Sequence, residues 1–170
     1  MKCAELLADA FGRVREAVHD VVEGLDEEQL AARLDPEANS IGWLVWHLTR
    51  VQDDHVADAA GIEQVWTGQG WYERWGLPFA ARATGYGHRP RDVAAVRPGS
   101  PALLTGYYDA VHEQTLGFVQ GLSGSSLDRI VDENWTPSVS LGVRLVSVLA
   151  EDLQHVGQAA FVRGVLRRAG

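Results

Sequence analysis

Along the first 24 residues, Leu7, Ala10, Val14, Ala17, Val18, Val21 and Val22 recur at three- and four-residue intervals with charged residues between them. That spacing predicts an amphipathic helix from Ala4 to a stop at Gly24. Asp26-Glu27-Glu28 then opens a short helical turn to Leu30, and Pro36 with Asn39-Ser40 breaks and recaps the chain. Ile41, Leu44, Val45, Leu48 and Val51 carry a second long helix to Ala60, closed by Gly61. A third begins at Ser100-Pro101, with a capping hydroxyl and a proline in the first turn. Its apolar face is Leu104, Tyr107, Tyr108, Val111, Thr115 and Val119, and Gly121 to Gly124 end it. After the polar stretch Asn134 to Ser140, which contains Pro137, a last helix runs from Leu141 to about Leu166 on Leu145, Val148, Leu149, Val156, Ala159 and Ala160. Asp152 is a polar interruption on that face.

Between Gly61 and Gly99 the periodicity fails, and eight Gly and Pro residues punctuate a segment that also holds Trp66, Trp71, Trp75, Phe79 and Tyr86. A connection this long inside a compact domain packs over the helices and can contribute to function. Four long helices, one crossover and no strand signal predict an all-α fold. The expected architecture is a single-domain four-helix bundle over residues 1–170, with a long crossover loop between helices 2 and 3.

At 170 residues the chain is long enough to bury one core. A net charge of -8 excludes the clustered Lys and Arg that phosphate backbones and anionic lipid surfaces require, so neither nucleic acid nor membrane is an expected partner. No apolar run reaches membrane-spanning length, and Glu5 and Asp9 interrupt the amino terminus where a signal core would lie, which predicts a cytoplasmic protein. The lone Cys3 allows no internal disulfide and reads as a small terminal residue.

Candidate chemistry sits on two of the helices. Glu151 and His155 are four residues apart on the last helix, on one face and about 6 Å apart along its axis, so they can converge on one ion. His47 can supply a third ligand from the second helix. Two His and one carboxylate leave coordination positions open, the arrangement of a working divalent-metal site. Taken singly, each His reads as readily as a hydrogen-bonded core or surface imidazole. Arg144 lies two turns before Glu151 on the same face, where a guanidinium can hold a substrate carboxylate or pair with a neighbour. Gln158, three residues after His155, is placed to orient a ligand from behind. Arg50 stands in the same relation to His47, or pairs with Asp53 or Asp54. His55 lies about 12 Å along the axis from His47, too far to share its ion, and reads as a polar helix end. His112, on the apolar side of the third helix, competes for a fourth ligand position, and Trp71, Arg74 and Trp75 can cap an open site.

The run Ser40-Ile41-Gly42-Trp43-Leu44-Val45-Trp46-His47-Leu48, joined to Glu151-x-x-x-His155-x-Gly157-Gln158, resembles the DinB-like superfamily of four-helix metal-binding proteins. Helix order and the long second-to-third connection share the likeness. The resemblance implies that His47, Glu151 and His155 bind a divalent ion, zinc first, with nickel or iron as alternatives. Glu at position 151, where many relatives have His, is similar to the mycothiol-dependent maleylpyruvate isomerase branch, although those enzymes carry a C-terminal second domain and a single domain is expected over residues 1–170 here. The implied activity is a metal-dependent S-transferase or isomerase acting on a small-molecule substrate with a low-molecular-weight thiol such as mycothiol. Homodimerisation is common among such relatives and is expected here. The rival is a non-enzymatic metal-binding or stress-associated interaction protein. No Ser-His-Asp order, P-loop or dinucleotide fingerprint is present to suggest other enzyme classes.

Overall fold

The computed structural model describes residues 2–169. In chain order its elements are α1 (Cys3–Val22), α2 (Glu27–Ala31), α3 (Ile41–Ala60), α4 (Val65–Gly68), α5 (Trp71–Trp75), α6 (Pro90–Ala95) and α7 (Pro101–Val119). A 3-10 turn (Gly124–Asp128), β1 (Ile130–Asp132), β2 (Val139–Ser140) and α8 (Leu141–Ala169) follow. The four long helices are those the hydrophobic spacing predicts, and their caps explain their ends. Ser40 Oγ accepts the Trp43 N–H at 3.1 Å, and Gly61 closes α3 in the left-handed conformation at φ 68°. Ser100 Oγ accepts the Leu103 N–H at 3.3 Å, with Pro101 in the first turn of α7.

In the bundle α3 packs against α8 and α7, and α1 packs against α7 and α8. α3 is buried nearly all round, because the crossover covers the face that the other long helices leave free. The crossover folds into α4, α5 and α6 and delivers Trp66 and Trp75 into the same core as Trp43, Trp46 and Tyr107. Each of these rings removes about 150–250 Å² from water, an upper limit of roughly 4–6 kcal/mol apiece at about 25 cal/mol/Å². That burial holds the long connection against its ordering entropy. A second core cluster, built on Phe11, Val56, Val119, Leu141, Leu145 and Val148, closes the other end of the bundle.

Asp53 joins crossover to bundle. Its carboxylate accepts the N–H groups of Val65 and Trp66 and the Tyr107 hydroxyl, each at 2.8 Å, and pairs with Arg50 at 3.3 Å. One expectation is corrected: β1 and β2 form a small antiparallel pair before α8. Strands of three and two residues are too short to display an alternating pattern. Among the described residues, no helix is long and apolar enough to cross a membrane.

Candidate metal centre

His47 on α3 meets Glu151 and His155 on α8, and one donor atom from each lies within 4.8 Å of the others. Glu151 Oε1 is 3.0 Å from His155 Nε2 and 3.4 Å from His47 Nε2. The outward ring nitrogens are anchored. His47 Nδ1 is 2.5 Å from the Thr84 carbonyl and His155 Nδ1 is 3.0 Å from Gln158 Oε1. Both partners are acceptors, so both rings carry their hydrogen on Nδ1 and turn an Nε2 lone pair inward. Two lone pairs facing a carboxylate oxygen repel unless a cation lies between them, so the donor set fits a divalent ion. Zinc accepts two imidazoles and one carboxylate readily and keeps a position open for substrate.

The surroundings stiffen this set. The Trp43 ring stacks on His47 with centroids 4.6 Å apart and planes 18° from parallel, and its indole N–H donates to His88 Nδ1 at 3.1 Å. Gly85 passes so close that a Cβ there would lie 2.7 Å from His47 Nδ1. The Arg50 guanidinium Nε–H donates to the Ala83 carbonyl at 3.1 Å. Two residues one turn apart on α3 thus pin the consecutive carbonyls of Ala83 and Thr84. Burial pushes the His47 imidazole below its ordinary value, outweighing the opposing hydrogen bond to Thr84, and this favours the neutral, metal-binding form. The Glu151 side chain is 39% exposed against 6% for His47, so the centre opens towards solvent on the α8 side.

That opening leads into a cavity of about 600 Å³ along the seam of α3 and α8. His47 and Glu151 lie at one end. At the other, Arg144 donates one N–H to His55 Nδ1 at 2.5 Å and another to Asp132 Oδ2 at 2.9 Å. Since Arg is always a donor, His55 Nδ1 accepts and its hydrogen sits on Nε2. Burial, then the Arg144 charge, hold His55 below its ordinary value. Tyr86 from the crossover and Trp135 from the β1–β2 turn stand at the rim.

The sequence pattern of the mycothiol S-transferases matches residues 6–168, nearly the whole chain. The chain belongs to that family. Among solved structures, a conserved protein from Enterococcus faecalis is similar at 27% identity, with a TM-score of 0.89 and 96% of each chain covered. No protein of curated function matches the chain.

Against this mycothiol S-transferase frame, the predicted residues divide. His47, Glu151 and His155 come together, and Gln158 stands directly behind His155. Arg144 lines the same cavity, already paired with Asp132. Arg50 lies apart from it, fully buried with Asp53 and Tyr107 and stacked 5.1 Å over Trp66. His112 faces the Arg15, His19 and Asp109 group and stacks on Tyr108, away from the three donors. Trp71 packs on Tyr107, with Arg74 over its ring, and Trp75 is buried in the core, so Thr84, Gly85 and Tyr86 are the crossover residues at the site. His55, Asp54, Asp132 and Trp135 are cavity residues that the spacing argument passed over. For His55 a signal existed: α3 and α8 run antiparallel, so eight residues on from His47 lies beside seven residues back from Glu151.

Proposed function

We propose that this chain is a divalent-metal-dependent S-transferase that uses a low-molecular-weight thiol of the mycothiol type, with His47, Glu151 and His155 as the metal ligands. The observation that carries the reading is the pair of inward Nε2 atoms fixed by acceptors behind both rings, facing the Glu151 carboxylate. Zinc is the ion the donor set favours. When bound, it supplies Lewis acidity that lowers the pKa of an incoming thiol. The chain's own residues do the rest. Thr84 and Gln158 keep the two imidazoles in the metal-binding tautomer. Glu151 contributes the negative charge, and its exposure leaves room for the thiol to arrive. The cavity along α3 and α8 orients the reactants and excludes part of the water. In the transfer, sulfur forms a bond to an electrophilic carbon, a leaving group departs with its bonding pair, and the thiol proton passes to solvent.

The test joins metal content to turnover. Purified, tag-free wild type is expected to hold about one divalent ion per chain and to conjugate mycothiol to an electrophilic substrate. His155→Ala is expected to lose both the ion and the rate while keeping its helical circular dichroism. A folded wild type that takes up no zinc, nickel or iron, or a rate that survives in His155→Ala, overturns the reading.

A further inference from the structure

Two separate contacts orient the His47 ring. The Thr84 carbonyl, 2.5 Å from Nδ1, sets which nitrogen faces inward. The χ2 torsion of a His is broad, so one hydrogen bond leaves the plane of the ring loosely set. Trp43, one turn earlier on α3, supplies the second constraint, with its indole stacked on the imidazole at 4.6 Å and 18° from parallel. The same indole meets His155 edge-on, with centroids 6.2 Å apart and planes at 89°. One side chain thus bears on both imidazole donors, one from each helix. A bound ion draws electron density out of an imidazole, and Trp has the aromatic face best suited to a ring with cationic character. The stack therefore favours the loaded centre.

The indole has a tether of its own. Trp43 Nε1–H donates to His88 Nδ1 at 3.1 Å, so His88 carries its hydrogen on Nε2. The buried indoles of Trp46, Trp66, Trp71 and Trp75 have no protein hydrogen-bond partner among the described residues, which sets Trp43 apart from them. The His88 ring is itself clamped, stacked on Trp46 at 5.7 Å and 17° and against Phe79 at 4.5 Å. Its backbone N–H donates to the Gly85 carbonyl at 3.1 Å, closing the turn that follows Thr84. One short stretch of the crossover therefore reaches His47 twice, at its Nδ1 directly and at its face through Trp43. We infer that His88 is a positioning residue for the metal centre. By holding the Trp43 N–H it fixes the plane of the indole, and through that plane the directions of the His47 and His155 Nε2 atoms. The inference rests on the reading of His47, Glu151 and His155 as metal ligands.

Zinc affinity, read by competition with a chromophoric chelator, separates positioning from packing. Asn and Leu share a γ-branched outline, and Asn Oδ1 takes the place of His Nδ1, so His88→Asn keeps an acceptor that His88→Leu lacks. His88 is half-buried, so neither change threatens the bundle, and helical circular dichroism should stay at the wild-type level. His88→Leu is expected to bind zinc about tenfold more weakly than wild type, the lower end of the usual cost of removing a group behind a ligand, and His88→Asn to stay within about threefold. Trp43→Phe keeps a stacking ring without an N–H, so combining it with each His88 variant should abolish the difference between them. Loaded with cobalt(II), His88→Leu should show displaced visible ligand-field bands, and His88→Asn bands at the wild-type positions. Equal zinc affinity in His88→Leu and His88→Asn, or a difference that persists beside Trp43→Phe, overturns the inference and leaves the ligand assignment standing. A folded wild type that takes up neither zinc nor cobalt removes the ligand assignment itself, and the inference with it.

Discussion

Gly85 shows how much a single position without a side chain contributes to the centre. Its φ of +98° lies where L-residues are strained, and a methyl group there would press on His47 Nδ1, the atom hydrogen-bonded to Thr84. Gly85→Ala must therefore move either the crossover or the imidazole. The expected result is a loss of about 10- to 100-fold in zinc affinity, the usual cost of disturbing a group behind a ligand, read by competition with a chromophoric chelator. Helix content should be unchanged, and wild-type affinity in Gly85→Ala would show that the Thr84 contact is dispensable. Nothing in the hydrophobic pattern foretells this role, since the pattern reports which face of a helix is buried and Gly85 belongs to no helix. Glu151 and His155 were legible for the opposite reason. Their spacing alone places two candidate donors on one helical face.

At the scale of elements, α3 depends on a buried ion pair whose main task is to hold the crossover. Asp53 sits in the core with its carboxyl raised by burial, despite four hydrogen-bonding partners that pull the other way. Asp53→Ala strands the Arg50 charge and two backbone N–H groups at once. It is expected to cost about 3–5 kcal/mol, measured as a fall in the urea midpoint with an unchanged slope. Replacing the pair together, Arg50→Leu with Asp53→Leu, should recover only part of this, because the Val65 and Trp66 N–H groups remain unpaired. Full recovery would reduce Asp53 to a counter-ion. The four long helices and their caps could be read from sequence because each obeys one local period over some twenty residues. The crossover could not, since α4, α5 and α6 are too short to show a period, and α4 is held by a side chain twelve residues upstream of Val65. The strand pair escaped for the same reason, as its short strands depend on pairing across a turn.

For the molecule as a whole, four imidazoles are kept neutral by where the fold puts them. His47, His55, His88 and His112 are all held below the ordinary 6.5, in each case first by burial. Arg144 adds to this at His55 and Arg15 at His112. Below pH 6.5 the unfolded chain takes up protons that the folded one refuses, so the contribution of these groups is complete above that value and is lost as pH falls towards their folded values. Asp53 and Asp152 have the opposite sign. Burial raises both, so their contribution is present below 3.8 and fades as pH rises through their folded values. Two such carboxyls act against the slope set by four imidazoles. Ion-free protein should accordingly unfold at a lower urea concentration at pH 5.5 than at pH 7.5, and an equal or higher midpoint at pH 5.5 would refute the assignment of neutral histidines. Combining His88→Gln, which reaches the donor set only through Trp43, with His112→Gln should flatten this dependence. With zinc present the dependence should steepen, because protons then compete with the ion for the Nε2 atoms of His47 and His155 as well as with the fold.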